Sequence, residues 1–397
     1  VPGRAISVPG IVLATCSIAL AQGPDWSGYA SIEPRVFMDA PLFAEQAGDR
    51  VSWSAVLAPE FRYEWSEGRD RLTVAPYLRF DQHDQERAHF DLREAAWLHT
   101  NGPWTLLLGV SRVFWGVAES RHLVDIINQT DQVDDVDGED KLGQPMIRME
   151  RRTDFGTFGV FVLPVFRERT FPADDGRLRA PLPIAVDRPE YDRRVDLAVR
   201  WARPLGPWDL GLSAFHGISR EPRLVPTSLR PTEMTLIPYY DLITQLGADV
   251  QYTRDAWLWK LELIERSGRG EDFVAAVAGF EYTVYGPVRS ALDLGVLVEY
   301  LYDGRNAQAP PTYYDDDVFV GLRLTLNDAD GTALLAGAIF DRNGAETFGI
   351  IEAQRRIGQA WRLELEARLF SGIDTADPLL GGFRNDSGLT FRAARFF

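Results

Sequence analysis

Residues 361–370 read WRLELEARLF. Trp361, Leu363, Leu365, Ala367 and Leu369 are apolar, and Arg362, Glu364, Glu366 and Arg368 stand between them. Successive side chains of a strand point to opposite faces, so this segment has one oily face and one fully charged face. The pattern recurs along the chain. Trp53, Ala55, Leu57, Pro59, Phe61, Tyr63 and Trp65 alternate with Ser52, Ser54, Glu60, Arg62 and Glu64. Val318, Val320, Leu322, Leu324 and Leu326 alternate with Arg323, Thr325 and Asn327. A soluble β-sandwich alternates too, but its polar faces meet water and its apolar area is limited to one core.

Counting segments separates the two architectures. Strands are expected near 27–37, 51–65, 71–81, 88–99, 104–115, 145–152, 155–167, 192–202 and 208–218. Further strands are expected near 240–252, 256–266, 272–284, 289–302, 317–327, 332–341, 346–356, 361–370 and 388–397. Tight turns such as Asn101-Gly102-Pro103, Leu205-Gly206-Pro207 and Tyr285-Gly286-Pro287 alternate with longer polar connections, among them 38–50, 116–144, 168–191, 219–239, 303–316 and 371–387. Short turns at one end and long loops at the other are the layout of an outer-membrane barrel. In hydrocarbon every backbone group must be paired, and a strand protein achieves that only by closing its sheet. The expectation is an all-β, antiparallel up-and-down transmembrane barrel of about 18 strands, within 16–18, with a long inward-folding loop after the fifth. Two positions strain the pattern: Glu94 shares a face with Phe90 and Leu92, and Glu352 follows Ile350. A bulge that flips the phase, or a site near an interface, resolves Glu94.

Composition narrows the function classes. The 397 residues carry 42 Lys+Arg against 58 Asp+Glu, a formal charge of −16, and one Cys. A nucleic-acid partner is excluded for want of a basic footprint, and a disulfide framework or multi-Cys metal site for want of cysteines. No stretch after the first twenty-odd residues approaches the ~18 uninterrupted apolar residues of a membrane helix. Before Asp25, Arg4 is the only charge, and it precedes an apolar run that ends in Ala19-Leu20-Ala21. Residues 1–21 therefore read as a secretory signal cleaved before Gln22, which removes Cys16 and leaves 22–397 as one barrel.

A barrel this wide is not filled by its own side chains, so the lumen is expected to hold water, lined by charges of both signs. Such a wall suits hydrophilic solutes and lacks the apolar patches of a hydrophobic-ligand channel. The connection 116–144 is the longest and carries Leu123, Val124, Ile126 and Ile127, which a solvated loop does not need. It is expected to fold inward, pack those residues on the wall and present Glu119, Asp125, Asp131, Asp134, Asp135, Asp137, Glu139 and Asp140 at a constriction. Wall arginines Arg62, Arg79, Arg93, Arg148, Arg200 and Arg323 would face these acids and set up a transverse field. The acidic run misses the helix–loop–helix calcium pattern: with Gly138 as the turn glycine, the first and twelfth ligand positions fall on Val133 and Gln144. No metal is expected, with only a weak divalent option at Asp135 and Asp137.

Enzyme signals are weak. The five histidines show no metal spacing, and Ser120, His122 and Asp125 are neighbours only in sequence. No catalytic residue and no cofactor is expected. The stretch 112–131, RVFWGVAESRHLVDIINQTD, resembles a block in a family of porin-like outer-membrane proteins of undefined substrate. There a strand ends in Trp-Gly and runs into an Asn-x-x-Asp loop, here Trp115, Gly116, Asn128 and Asp131. The resemblance implies an outer-membrane barrel and supplies no ligand residues. The terminal Phe397 on an amphipathic last strand resembles the signal read by the barrel assembly machinery. The reading is a porin in a Gram-negative outer membrane, in contact with lipid and lipopolysaccharide, passing small hydrophilic solutes through an acidic constriction. An oligomer is compatible with it. The alternatives are a polysaccharide or solute-specific exporter, or a non-conducting barrel that binds at the surface or hydrolyses in the membrane.

Overall fold

Alternating segments become strands, and the strands close on themselves. The computed structural model describes residues 23–185, 194–230, 233–268, 272–289, 291–375, 377 and 380–397; the expected signal 1–21 lies outside these. The first nine strands are β1 (Asp25–Phe37), β2 (Val51–Trp65), β3 (Asp70–Asp81), β4 (Phe90–Asn101), β5 (Trp104–Ser111), β6 (Gln144–Thr153), β7 (Gly156–Leu163), β8 (Asp196–Leu205) and β9 (Trp208–Ile218). A separate hairpin follows, β10 (Arg223–Arg230) and β11 (Glu233–Tyr239). The barrel then continues with β12 (Leu242–Arg254), β13 (Trp257–Ser267), β14 (Phe273–Tyr285), β15 (Asp293–Asp303) and β16 (Asp316–Thr325). It ends with β17 (Ala333–Asp341), β18 (Thr347–Ile357), β19 (Trp361–Ser371) and β20 (Gly388–Phe396).

Each barrel strand pairs antiparallel with its neighbours in an 18-stranded sheet; β9 pairs with β12, bypassing the hairpin, and β20 pairs back onto β1. The closing seam runs from Tyr29 opposite Phe396 to Phe37 opposite Gly388. The expected fold class holds, strand for strand. The hairpin was not foreseen because Pro226 and Pro238 break the alternation. Each lies on a strand of a two-stranded sheet, where an edge tolerates proline. At the short-turn end, Gly206 and Gly358 adopt φ +61° and +63° with open space where a side chain would stand. Backbone conformation, not crowding, selects glycine there.

The outer face is apolar. Trp53, Leu57, Leu246 and Leu322 all point outward and are exposed. Near the short-turn end the outward residues are aromatic: Trp208 lies 4.4 Å from Tyr252, and Trp257 5.4 Å from Trp259 and 4.5 Å from Tyr282. Such a girdle suits a membrane interface. The strain at Glu94 is relieved as expected. Ala75 pairs with Glu94 and Pro76 with Leu92, leaving Arg93 as the extra residue of a β-bulge. Arg93 and Glu94 then both face the lumen. Glu352 also faces inward, where it accepts from Arg368 Nη1 at 2.9 Å.

One expectation needs correction. The inner wall is not uniformly polar, because Val277, Leu297, Leu301, Phe319, Leu335 and Ile339 point inward from β14–β17 and are buried. They belong to one apolar cluster with Trp115, Leu123, Val124, Ile126 and Ile127 of the loop after β5. Val277, Leu297, Leu301 and Phe319 are covered by protein, while Leu335 and Ile339 border cavities.

Candidate constriction inside the barrel

The chain leaves the sheet after Ser111 and returns at Gln144, and between them it crosses the lumen. Val124 and Ile127 are fully buried, and Leu123 and Ile126 nearly so. Burying side chains of this size is worth about 1.5–3 kcal/mol each, enough to hold the segment against the wall. A buried loop must also satisfy its backbone, since an orphaned N–H costs about as much as a lost hydrogen bond.

Two wall carboxylates do this. Glu262 of β13 accepts from the N–H groups of Val117 at 2.7 Å, Ala118 at 2.9 Å and Val124 at 3.2 Å. Glu299 of β15 accepts from the N–H groups of Glu119 and Ser120, each at 2.8 Å, and from Ser120 Oγ at 2.6 Å. Gly116 lies so close to Glu262 that a Cβ would stand 2.9 Å from Oε1, and its φ is +141°. Asn128 ties the two stems of the loop together. Its Nδ2 donates to the carbonyls of Ser111 at 3.0 Å and Leu142 at 2.8 Å, and its Oδ1 accepts from Val113 N–H at 2.9 Å. Trp115 packs edge-on against Phe161 of β7 at 5.3 Å, with Arg200 over its ring at 4.9 Å. Trp115, Gly116, Asn128 and Asp131, singled out by sequence, are thus all fastenings of the loop.

The far side is pinned by ion pairs. Asp131 accepts from Arg93 Nη2 at 2.5 Å and Thr170 Oγ1 at 2.7 Å. Asp134 pairs with Arg79 and accepts from the Tyr77 hydroxyl at 3.0 Å. Asp135 and Asp137 both receive Arg368 Nη2, at 3.1 and 2.8 Å, so a guanidinium stands where a divalent ion would need to be. Glu119 pairs with Arg323 at 2.6 Å and Lys260 at 3.3 Å. Asp125 lies 3.5 Å from Lys141 within the loop. Ser120, His122 and Asp125 bond to different partners, respectively Glu299, Glu139 and Lys141.

Acids and arginines were expected to face one another across water; most of them touch. Asp131, Asp134 and Asp135 are buried anchors. Arg62 pairs with Glu64 toward the short-turn end, and Arg148 stands 3.9 Å from Glu150. Arg200 pairs with Asp249 at 2.9 Å. Among the described residues of this site, Glu139 of the loop and Glu352 of the wall are the carboxylates most open to solvent, with 60% and 42% of their side chains exposed, against 21% for Glu119 and Asp137. Glu262, Glu299, Glu352 and Arg368 are absent from the site expected by sequence. Their one legible signal is charge at an inward mid-strand position, which a solvated wall also produces.

Charge states follow from these contacts. Burial disfavours the charged forms of Asp131, Asp134 and Asp135, but the adjoining arginines, with His89 at Asp131, outweigh it and hold all three below the usual carboxylate range. Burial and the neighbouring Asp134 and Asp135 push Asp140 up to about 8. For His122, burial opposes protonation, yet Glu139 at 3.3 Å and Glu262 at 3.7 Å prevail and raise it to about 10.

Cavities lie on both sides of the loop. One of about 260 Å³ is lined by Glu119, His122, Asp137, Glu139 and Lys141, facing Leu335, Ile350 and Glu352. It adjoins a larger one of about 1370 Å³ among the long loops, and the two share Tyr313, Tyr314 and Phe348. A third, of about 290 Å³, is lined by Arg112, Trp115, Arg148 and Arg200.

Fold and site define a closed β-barrel of the outer-membrane type with an inward-folded loop after its fifth strand. No protein-family model matches the chain, and no curated protein does. Among the solved structures that share the fold are three outer-membrane barrels. A BenF-like porin from Pseudomonas fluorescens Pf-5 aligns with TM-score 0.55 at 10% identity, covering 94% of this chain and 97% of the porin. Wzi from Escherichia coli, described as a carbohydrate-binding β-barrel involved in capsule assembly, aligns with TM-score 0.52 at 10% identity over 92% and 83%. OpdK of Pseudomonas aeruginosa, solved with vanillate, aligns with TM-score 0.51 at 10% identity over 94% and 98%. At this identity the likeness is one of fold.

Proposed function

We propose that the protein is an outer-membrane channel for small hydrophilic solutes, in which loop 112–143 narrows the lumen and favours cations. The observation that carries this reading is the segment fastened across the barrel, with Glu139 and Glu352 left exposed beside a small cavity. Glu139 and Glu352 are more exposed than Arg121, His122, Lys141 and Arg266 around that cavity, so they are the charges a passing ion meets first. The proposed setting is a Gram-negative outer membrane, with lipid and lipopolysaccharide around the aromatic-girdled wall. Insertion through the assembly machinery and association into oligomers belong to the same proposal.

Planar-bilayer recording of the refolded protein under a KCl gradient tests the reading. Steady channels whose reversal potential indicates cation preference support it. Anion preference would reject the acidic constriction. A folded barrel that passes no current would favour a second reading, a plugged surface-binding barrel. The observation behind that reading is the buried belt 123–129, of which Leu123, Asp125, Ile126 and Asn128 line the 260 Å³ cavity while Trp115 of the same loop lines the 290 Å³ one.

A further inference from the structure

The 1370 Å³ cavity among the long loops combines two features that a water-filled vestibule does not require. Its wall carries a run of aromatic rings. Phe348 stacks on Phe370 at 5.2 Å, Phe370 meets Phe383 at 5.6 Å, Phe383 meets Tyr313 at 6.3 Å, and Tyr313 meets Tyr314 at 6.0 Å. Phe370 and Phe383 are packed with Leu380 and Val136, so the surface they offer is fixed.

Its charged lining is one-sided. Among the described residues, six carboxylates line it: Asp315, Asp317, Asp341, Glu346, Asp374 and Asp377. The two guanidiniums there, Arg223 and Arg305, are already engaged, Arg223 with Asp241 at 2.5 Å and Arg305 with Asp303 at 2.7 Å. Asp317 and Asp341 are direct cross-strand partners on β16 and β17, both directed inward. Like charges opposite one another in a sheet are destabilising, and a cation between the strands relieves that repulsion. Aromatic faces attract cations through the ring quadrupole and at the same time take up apolar surface.

From this pairing we infer that the vestibule binds small organic cations with an apolar body, of the aralkylammonium type, ahead of the constriction. The inference deepens, and rests on, the reading of the barrel as a cation-preferring channel. It also gives the apolar inner wall a use: Ile339, Phe348, Leu335 and Ile350 lead from the vestibule to Glu139 and Glu352. An anionic aromatic meets the same rings but is repelled by the acids. A neutral sugar gains nothing from the surplus of negative charge.

Isothermal titration of the full chain in detergent micelles provides the test, with phenethylammonium as probe. Phenylacetate (same ring, opposite charge), methylammonium (same charge, no ring) and maltose serve as comparators. Phenethylammonium is expected to bind at least tenfold more tightly than any of them, and to weaken as KCl rises from 0.05 to 0.5 M. The double variant Asp341→Asn/Glu346→Gln should weaken it at least fivefold, and Tyr313→Ala, on a loop, should do so while leaving the barrel heat-modifiable. Equal or tighter binding of phenylacetate or maltose would overturn the inference, as would no binding of phenethylammonium. The channel reading is judged separately by KCl current. Absence of current with phenethylammonium still bound would reject the channel and keep the site.

Discussion

Glu262 illustrates how a single residue determines whether a loop can live inside a barrel. Its two oxygens serve three backbone N–H groups, and without them those groups are buried unpaired, at about 1–3 kcal/mol each. Glu262→Ala is therefore expected to speed hydrogen exchange at Val117, Ala118 and Val124 by at least tenfold. Glu262→Gln, which keeps one carbonyl oxygen, should show a much smaller effect; equal acceleration in both variants would count against the capping role. His122 makes the complementary case for charge. Its folded pKa is raised to about 10 from an ordinary value near 6.5. The stabilisation it gives through Glu139 and Glu262 is thus complete below about 6.5 and lost as pH rises through about 10. Current fluctuations in bilayers should increase with a midpoint near pH 10, and His122→Gln should remove that transition. If the variant keeps it, a tyrosine or lysine is responsible.

Among the elements, the loop after β5 is where sequence and structure part company most usefully. Its four apolar residues were legible as inward-facing, because a solvated loop has no need of them. The fate of its acids was not legible. Asp131 and Glu139 look alike in sequence, yet one is a buried anchor on Arg93 and the other a solvent-exposed carboxylate. Register across the barrel makes that difference, placing Arg79, Arg93 and Arg368 opposite particular aspartates. Deleting 131–140 should therefore do more than widen the pore. It leaves those arginines without their loop partners on the lumen wall, so conductance should rise several-fold and reversal potentials move toward anion preference. A wider pore that remains equally cation-selective would show that the loop does not set selectivity.

For the whole molecule, closure is the decisive property. The seam between β1 and β20 removes the two edges an open sheet would present to lipid, where each unpaired group costs several kcal/mol. Truncation after Ser387 should abolish the folded, heat-modifiable band in detergent gels even though the other barrel strands keep their sequence. A truncated chain that still migrates as a compact barrel would mean that β19 can close directly on β1.

Period-two alternation by itself determined the class, the strand number and the inward or outward sense of almost every barrel strand, because a strand at a lipid boundary has only two faces and each must match its solvent. The tight turns between strands were equally readable, since they rest on local backbone chemistry. Only the tertiary structure decided which acids are anchors and which remain open to solvent, that Glu262 and Glu299 cap a loop from far along the chain, and that part of the inner wall is apolar. These depend on contacts between residues 38 to 233 positions apart, set by the register of a closed sheet. A single sequence carries no local trace of them.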